Sequence, residues 1–184
     1  MASNTYVPGK LSGAVNNLGS ENAVLAECNS SGSIIGTWAQ FGIIKDSTLT
    51  DNTEQVTLAS EAGRQYKRNG SRNVEFTMTI MQTDTTTMTA VNLMRDKYFT
   101  IVKEHAETTI NGNYIYLVMP ICKYVPEATI KQPGGENAYK FSLEAPTTTV
   151  TVSLTNAATG GTFSTTVTGN KVFSSGTYWD TATI

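Results

Sequence analysis

A chain of 184 residues with a formal net charge of −2 and only 15% charged residues is long enough to bury a core, and it has no bulk basic surface for gripping nucleic acid. Its roughly 30 threonines suit pleated sheet. Two cysteines, Cys28 and Cys122, are too few for a disulfide framework and are expected as free thiols, and the single histidine, His105, excludes His-rich metal sites and the HExxH pattern.

The N-terminal Met-Ala-Ser-Asn-Thr-Tyr has neither the basic nor the apolar section of a secretory signal. No apolar run approaches the roughly 20 residues that span a bilayer, so a cytoplasmic product with no membrane partner is expected. The sequons at Asn29 and Asn69 are chance matches in a chain rich in Asn, Ser and Thr.

Residues 1–33 are polar and glycine-rich, with one apolar cluster at Ala23–Ala26 and a short strand expected near Tyr6–Leu11. They read as an N-terminal arm that orders on a partner. A core follows over 34–146. Ser33–Ile44 is more apolar and is expected to form its first strand, bent at a glycine.

From Lys45 to Arg72 the chain is polar but patterned. Gln55–Ala59 alternates, and Gly63–Lys67 is a second strand candidate. Together they describe a long projecting hairpin over about 45–72 or a flexible loop, and a hairpin with half-apolar strands needs a neighbouring subunit to cover it.

Val74, Phe76, Met78 and Ile80 alternate with Glu75, Thr77 and Thr79, the pattern of a strand with one face in a core. Gln82–Asp84 breaks it, with Asp84 or a neighbouring threonine as a cap. One short amphipathic helix over about 84–98 is expected on Met88, Val91, Met94 and Tyr98, with Arg95 and Lys97 in its last turn. Phe99–Lys103 returns to β character.

His105–Gly112 is a polar turn region, with Asn111-Gly112-Asn113 as its strongest signal. Tyr114–Cys122 is the most apolar run and suits a strand covered on both faces, with Pro120 marking an edge or a bulge. Glu127–Lys131 is a short strand candidate, and Pro133–Gly135 is a turn. Ala138–Ala145 alternates, with Tyr139, Phe141 and Leu143 on one face. In the tail, 147–184, Val150, Val152 and Leu154 alternate, as do Phe163, Thr165 and Val167. These form a C-terminal strand pair of the same sandwich or an extension lying on a neighbour. No repeat of 20 to 50 residues appears.

Catalytic readings fail on inventory. There is no GxSxG elbow, GxxxxGK[ST] phosphate loop or GxGxxG after a strand, and nothing brings two carboxylates among Asp46, Asp51, Glu54 and Glu75 together. No enzyme, cofactor or metal site is expected. The only local concentration of positive charge is Arg64, Lys67, Arg68 and Arg72. It is too sparse for a nucleic-acid patch, and it reads as a solvated hairpin end or as a surface that pairs with acids such as Glu54 and Glu61 of another copy.

Taken in order, the polar hairpin ending in Gly63–Arg72, the stretch VEFTMTIMQTD, one short helix and the closing strands resemble the tail tube (major tail) proteins of long-tailed bacteriophages. The likeness covers about residues 34–145, and the tail after Pro146 departs from the simplest members. It implies a mainly β fold: an antiparallel sandwich or barrel with one helix, a projecting hairpin and extended terminal segments. It also implies a virion protein, assembled in the host cytoplasm, that stacks as hexameric rings around a channel for DNA. The implied partners are further copies of itself, a tape measure, a tail terminator and baseplate or tail-tip proteins, with DNA passing but not held. On this reading Glu54, Val56, Leu58, Glu61, Arg64, Tyr66, Lys67, Arg68 and Arg72 make contacts between subunits. The rival readings are a β-sandwich binding module or adhesin, recognising sugar or protein through aromatics such as Tyr178 and Trp179, and a capsid decoration protein.

Overall fold

The alternation of Val74, Phe76, Met78 and Ile80 is realised as the inner half of one long strand, every one of these side chains being buried. The computed structural model describes residues 23–40, 44–59, 63–80, 93–106, 114–126, 136–155 and 162–176. They form β1 (Ala23–Cys28), β2 (Ala39–Gln40), β3 (Ile44–Ala59), β4 (Gln65–Ile80), β5 (Tyr98–Ala106), β6 (Tyr114–Val125), β7 (Asn137–Glu144), β8 (Val150–Thr155), β9 (Thr162–Val167) and β10 (Val172–Gly176). The fold is mainly β, and every strand pairing is antiparallel.

One sheet runs in the order β2-β1-β5-β6-β7-β4-β3, with β10 also paired to β6, and β8–β9 form a separate hairpin. The sheet has a core on each face. On one, Leu25, Phe76, Ile101, Met119 and Phe141 belong to a single cluster drawn from five strands. On the other, Val152, Leu154 and Phe163 of the β8–β9 hairpin pack on Val102, Tyr116 and Val118. The Tyr116 and Phe163 rings lie 4.6 Å apart between centroids. Trp38 ties this layer down, donating from Nε1 to the Ser153 carbonyl at 3.2 Å. The β8–β9 hairpin thus lies on its own chain, and β10 returns to the main sheet.

Pro120 sits at a bulge, as its missing N–H suggests. The register between β5 and β6 shifts between Phe99↔Cys122 and Ile101↔Met119, leaving an extra residue on β6. On its other side β6 changes partner here, from β10 over 114–118 to β7 over 121–125. The Pro120 carbonyl accepts from Thr100 Oγ1 at 2.9 Å and Cys28 Sγ at 3.6 Å, which satisfies it in a buried site. Both cysteines are free and buried.

Three expectations from the sequence need correction. The first core strand is β1, inside the presumed arm. The apolar cluster Ala23–Ala26 is buried on both faces, so it shows no alternation to read. The described residues of 33–44 instead give one bridge, Ile34 to Cys28, the two-residue β2 and the start of β3, with Ile35 65% exposed.

The helix over 84–98 falls mostly on residues outside the described ones. Its end lies earlier than expected: helical backbone stops at Leu93, Asp96 takes φ 60°, and Tyr98 already belongs to β5. An aspartate tolerates that left-handed conformation, which turns the chain directly into the strand. Met94 is fully buried, and Lys97 pairs with Glu27 at 3.0 Å instead of capping a helix. Lastly, the hairpin and the central strand are not separate, since β4 runs from Gln65 to Ile80 through both. The strand candidates at 6–11 and 127–131, the Asn111–Asn113 turn, Tyr178 and Trp179 lie outside the described residues.

Candidate functional site

β3 and β4 pair from Ile44↔Ile80 out to Ala59↔Gln65, so the expected hairpin is present and longer than 45–72. β7 supports β4 only from Glu75 to Ile80. Beyond Asn73 the two strands continue as a two-stranded ribbon. Among described ribbon residues from Asp51 outward, all are exposed except the partly buried Val56 and Gly70. A two-stranded ribbon has no third strand to bury either face, and its polar, β-branched composition keeps it soluble as it extends.

The register sorts the expected contact residues. Val56 faces Arg68 and Leu58 faces Tyr66, which puts these four on one face. Glu54 joins them at the bulge between Thr53 and Gln55, where a Cβ on Gly70 would lie 3.0 Å from both Glu54 Oε2 and Val56 Cγ2. Lys67 pairs with Thr57 and points to the opposite face. Leu58 and Tyr66 are 48% and 56% exposed, so a large apolar pair stands in water near the end of the ribbon. Arg64 is exposed beside Gly63, whose φ of 73° turns the chain into β4. Glu61 lies outside the described residues.

Arg72 departs from its expected role. Its guanidinium is committed to Asp51, donating from Nε at 2.8 Å and from Nη2 at 2.6 Å. Lys171, between β9 and β10, donates to the same carboxylate. The bond from Arg72, and then that from Lys171, holds the Asp51 carboxyl well below the usual carboxylate range, and Asp51 in turn raises Arg72. Glu54 is also engaged within the chain, accepting from Ser71 Oγ at 3.1 Å. The ribbon's ionic contacts at its base are therefore internal, while its outer half presents Arg68 beside the Leu58–Tyr66 pair.

The sheet face behind the ribbon is polar. Thr48 pairs with Thr77, and Thr77 with Lys140. Lys140 binds Glu75 at 2.7 Å, and that bond, followed by one from Asn73, lowers the Glu75 carboxyl. Lys45 and Glu136 pair at 2.9 Å, which raises Lys45. Among the described residues no group of three or more His, Cys, Asp or Glu gathers to hold a metal ion, and no helix is long and apolar enough to cross a membrane.

Sequence reasoning missed Asp51, Ser71 and Lys171 as parts of this site. The Asn69-Gly70 dipeptide was a local signal for the bulge, whereas nothing near Lys171 announces a partner 120 residues away.

No protein-family model matches the chain, and no curated protein matches it. Among solved structures it is similar to a protein from the tail of an empty GTA particle, refined helically with C6 symmetry. That similarity covers 65% of this chain and 87% of the other at 13% identity, with a TM-score of 0.32. A likeness this remote assigns neither a role nor an assembly to the present chain.

Proposed function

We propose that the protein is a structural, non-catalytic virion subunit that assembles with copies of itself into the tube of a phage tail. The observation that carries this reading is the β3–β4 ribbon. It extends the β3–β4 pairing past the last support from β7 and ends in an exposed apolar pair beside Arg68. An element of this kind is stabilised by a surface outside its own chain, and in a homopolymer that surface belongs to another copy. At the border of the main sheet β3 has no strand neighbour other than β4 among the described residues, and this edge offers a second place for copies to join.

The resemblance to tail tube proteins supplies the virion context, the hexameric stacked ring and the tape-measure, terminator and tail-tip partners. The polar face of β3, β4 and β7 suits the wall of a channel. Its threonines are uncharged, its Lys140 is neutralised by Glu75, and Asp46 and Glu144 add only negative charge, so a polyanion slides past without releasing counterions to bind.

Size-exclusion chromatography with light scattering, followed by negative-stain electron microscopy of the largest species, tests the reading. Rings or hollow tubes are the expected result. A monomer at every concentration, including in the presence of preformed tail tips, overturns it.

A further inference from the structure

We propose that Lys171 is a clasp: through Asp51 it holds the β3–β4 ribbon at a fixed angle to the body of the protein, and this fixed pose prepares the ribbon for docking on another copy. The proposal concerns the ribbon's geometry, and only its last clause rests on the assembly reading above.

The placement follows from the sheet. β7 and β10 lie along the same side of β6, β7 against Ile121–Val125 and β10 against Tyr114–Val118. Where β7 stops supporting β4, the segment leading into β10 takes over with one side chain. The Asp51 carboxylate receives both donors of Arg72, which strap β3 to β4 within the ribbon, and the ammonium of Lys171, which comes from the body. Lys171 is only 19% exposed at its side chain and Asp51 31%, so the contact is covered mainly at its ammonium end, while the carboxylate lies at the surface. The two bonds do different work. Arg72 holds the ribbon's strands to each other, and Lys171 holds the ribbon to the rest of the chain.

A ribbon free to swing at Asn73 must be ordered when it docks, and a clasped one has already lost that freedom. Salt is the natural antagonist, because at about 1 M the screening length falls to roughly 3 Å.

The test places nitroxides at Thr57→Cys, on the ribbon face away from Leu58 and Tyr66, and at Thr151→Cys, on the outward face of β8. The native Cys28 and Cys122 are buried and stay unlabelled. Electron–electron distance distributions are measured on dilute, monomeric protein. A single narrow distance is expected in the parent and in R72M, and a broad one in K171M, in D51N and in the parent at high salt. K171R should restore the narrow distance, which separates loss of the clasp from general loosening of β10. In assembly, K171M should raise the critical concentration about 3- to 10-fold.

An unchanged distribution in K171M overturns the clasp, even if tubes form normally. A distribution that broadens as expected while neither protein polymerises upholds the clasp and removes the tube reading.

Discussion

Leu58 stands directly opposite Tyr66 on the β3–β4 ribbon, and both side chains are largely in water. A cross-strand apolar pair contributes roughly 0.2–1 kcal/mol to its own ribbon, little for the exposure of two large side chains. Replacing both by serine, Leu58→Ser with Tyr66→Ser, is therefore expected to cost the fold less than about 1 kcal/mol while abolishing self-assembly. Urea unfolding and light scattering on the same sample check the two halves. Tubes of normal length from the double variant would remove this face from the contact.

The ribbon itself is separable from the core. Among the described residues, those of 54–71 have strand partners only within the ribbon, whereas Asp51, Thr53 and Arg72 form its base. Replacing 54–71 by an Asn-Gly turn between Thr53 and Arg72 closes a two-residue hairpin and preserves the Asp51–Arg72 bond. The shortened protein should melt cooperatively, remain monomeric and keep the near-ultraviolet dichroism of its buried tyrosines. Loss of folding on this deletion would show that the ribbon stabilises the body, contrary to its lack of support from β7.

How far these features were legible depends on where each residue's partners lie. Val74–Ile80 and Tyr139–Leu143 bury one face only, so their alternation announces both strand and inward side. Pro120 signals its bulge because a missing donor is a property of the residue itself. The hairpin was legible as two strands and a turn, but its continuity with the central strand was not. Asn73 and Arg72 interrupt the apolar pattern exactly where β7 ends, so a loss of burial looked like a loss of strand. β1 was hidden for the opposite reason: neighbours on both faces erase periodicity. Of the contact face, the register brings Glu54, Val56, Leu58, Tyr66 and Arg68 together, while the diversion of Arg72 to Asp51 depends on a fold-level approach of Lys171 that no local pattern encodes.

The two faces of β4 should respond differently to truncation. Phe76 is 1% exposed in the main core and Thr77 is half-buried on the polar face. Phe76→Ala is expected to cost about 3–5 kcal/mol, enough to unfold much of the population, and Thr77→Ala under about 1 kcal/mol. Chemical denaturation of the two single variants decides it. Equal costs would contradict the assignment of inside and outside on this strand.

Alkaline pH gives a final test, centred on the bulge. Burial pushes the Cys28 thiol up from 9.0 to about 11, against a smaller opposing effect of the Thr100 hydroxyl, and burial pushes Cys122 up as well. The neutral thiol is thus favoured in the folded chain, while the unfolded chain ionises near pH 9. Between pH 9 and 11 the unfolded state holds fewer protons than the native one, so stability is fully present below pH 9 and falls as pH rises towards 11. For Cys28 the loss amounts to about 2 to 3 kcal/mol. Urea unfolding at pH 8 and pH 11 should therefore show a smaller alkaline loss in Cys28→Ala than in the parent, even though other groups titrate in both. Because the alanine also removes the Sγ contact to the Pro120 carbonyl, its stability at pH 8 should be lower than the parent's, and the two curves should converge as pH rises. Parallel curves would mean that Cys28 is hydrated in solution and that the bulge carbonyl is satisfied by Thr100 alone.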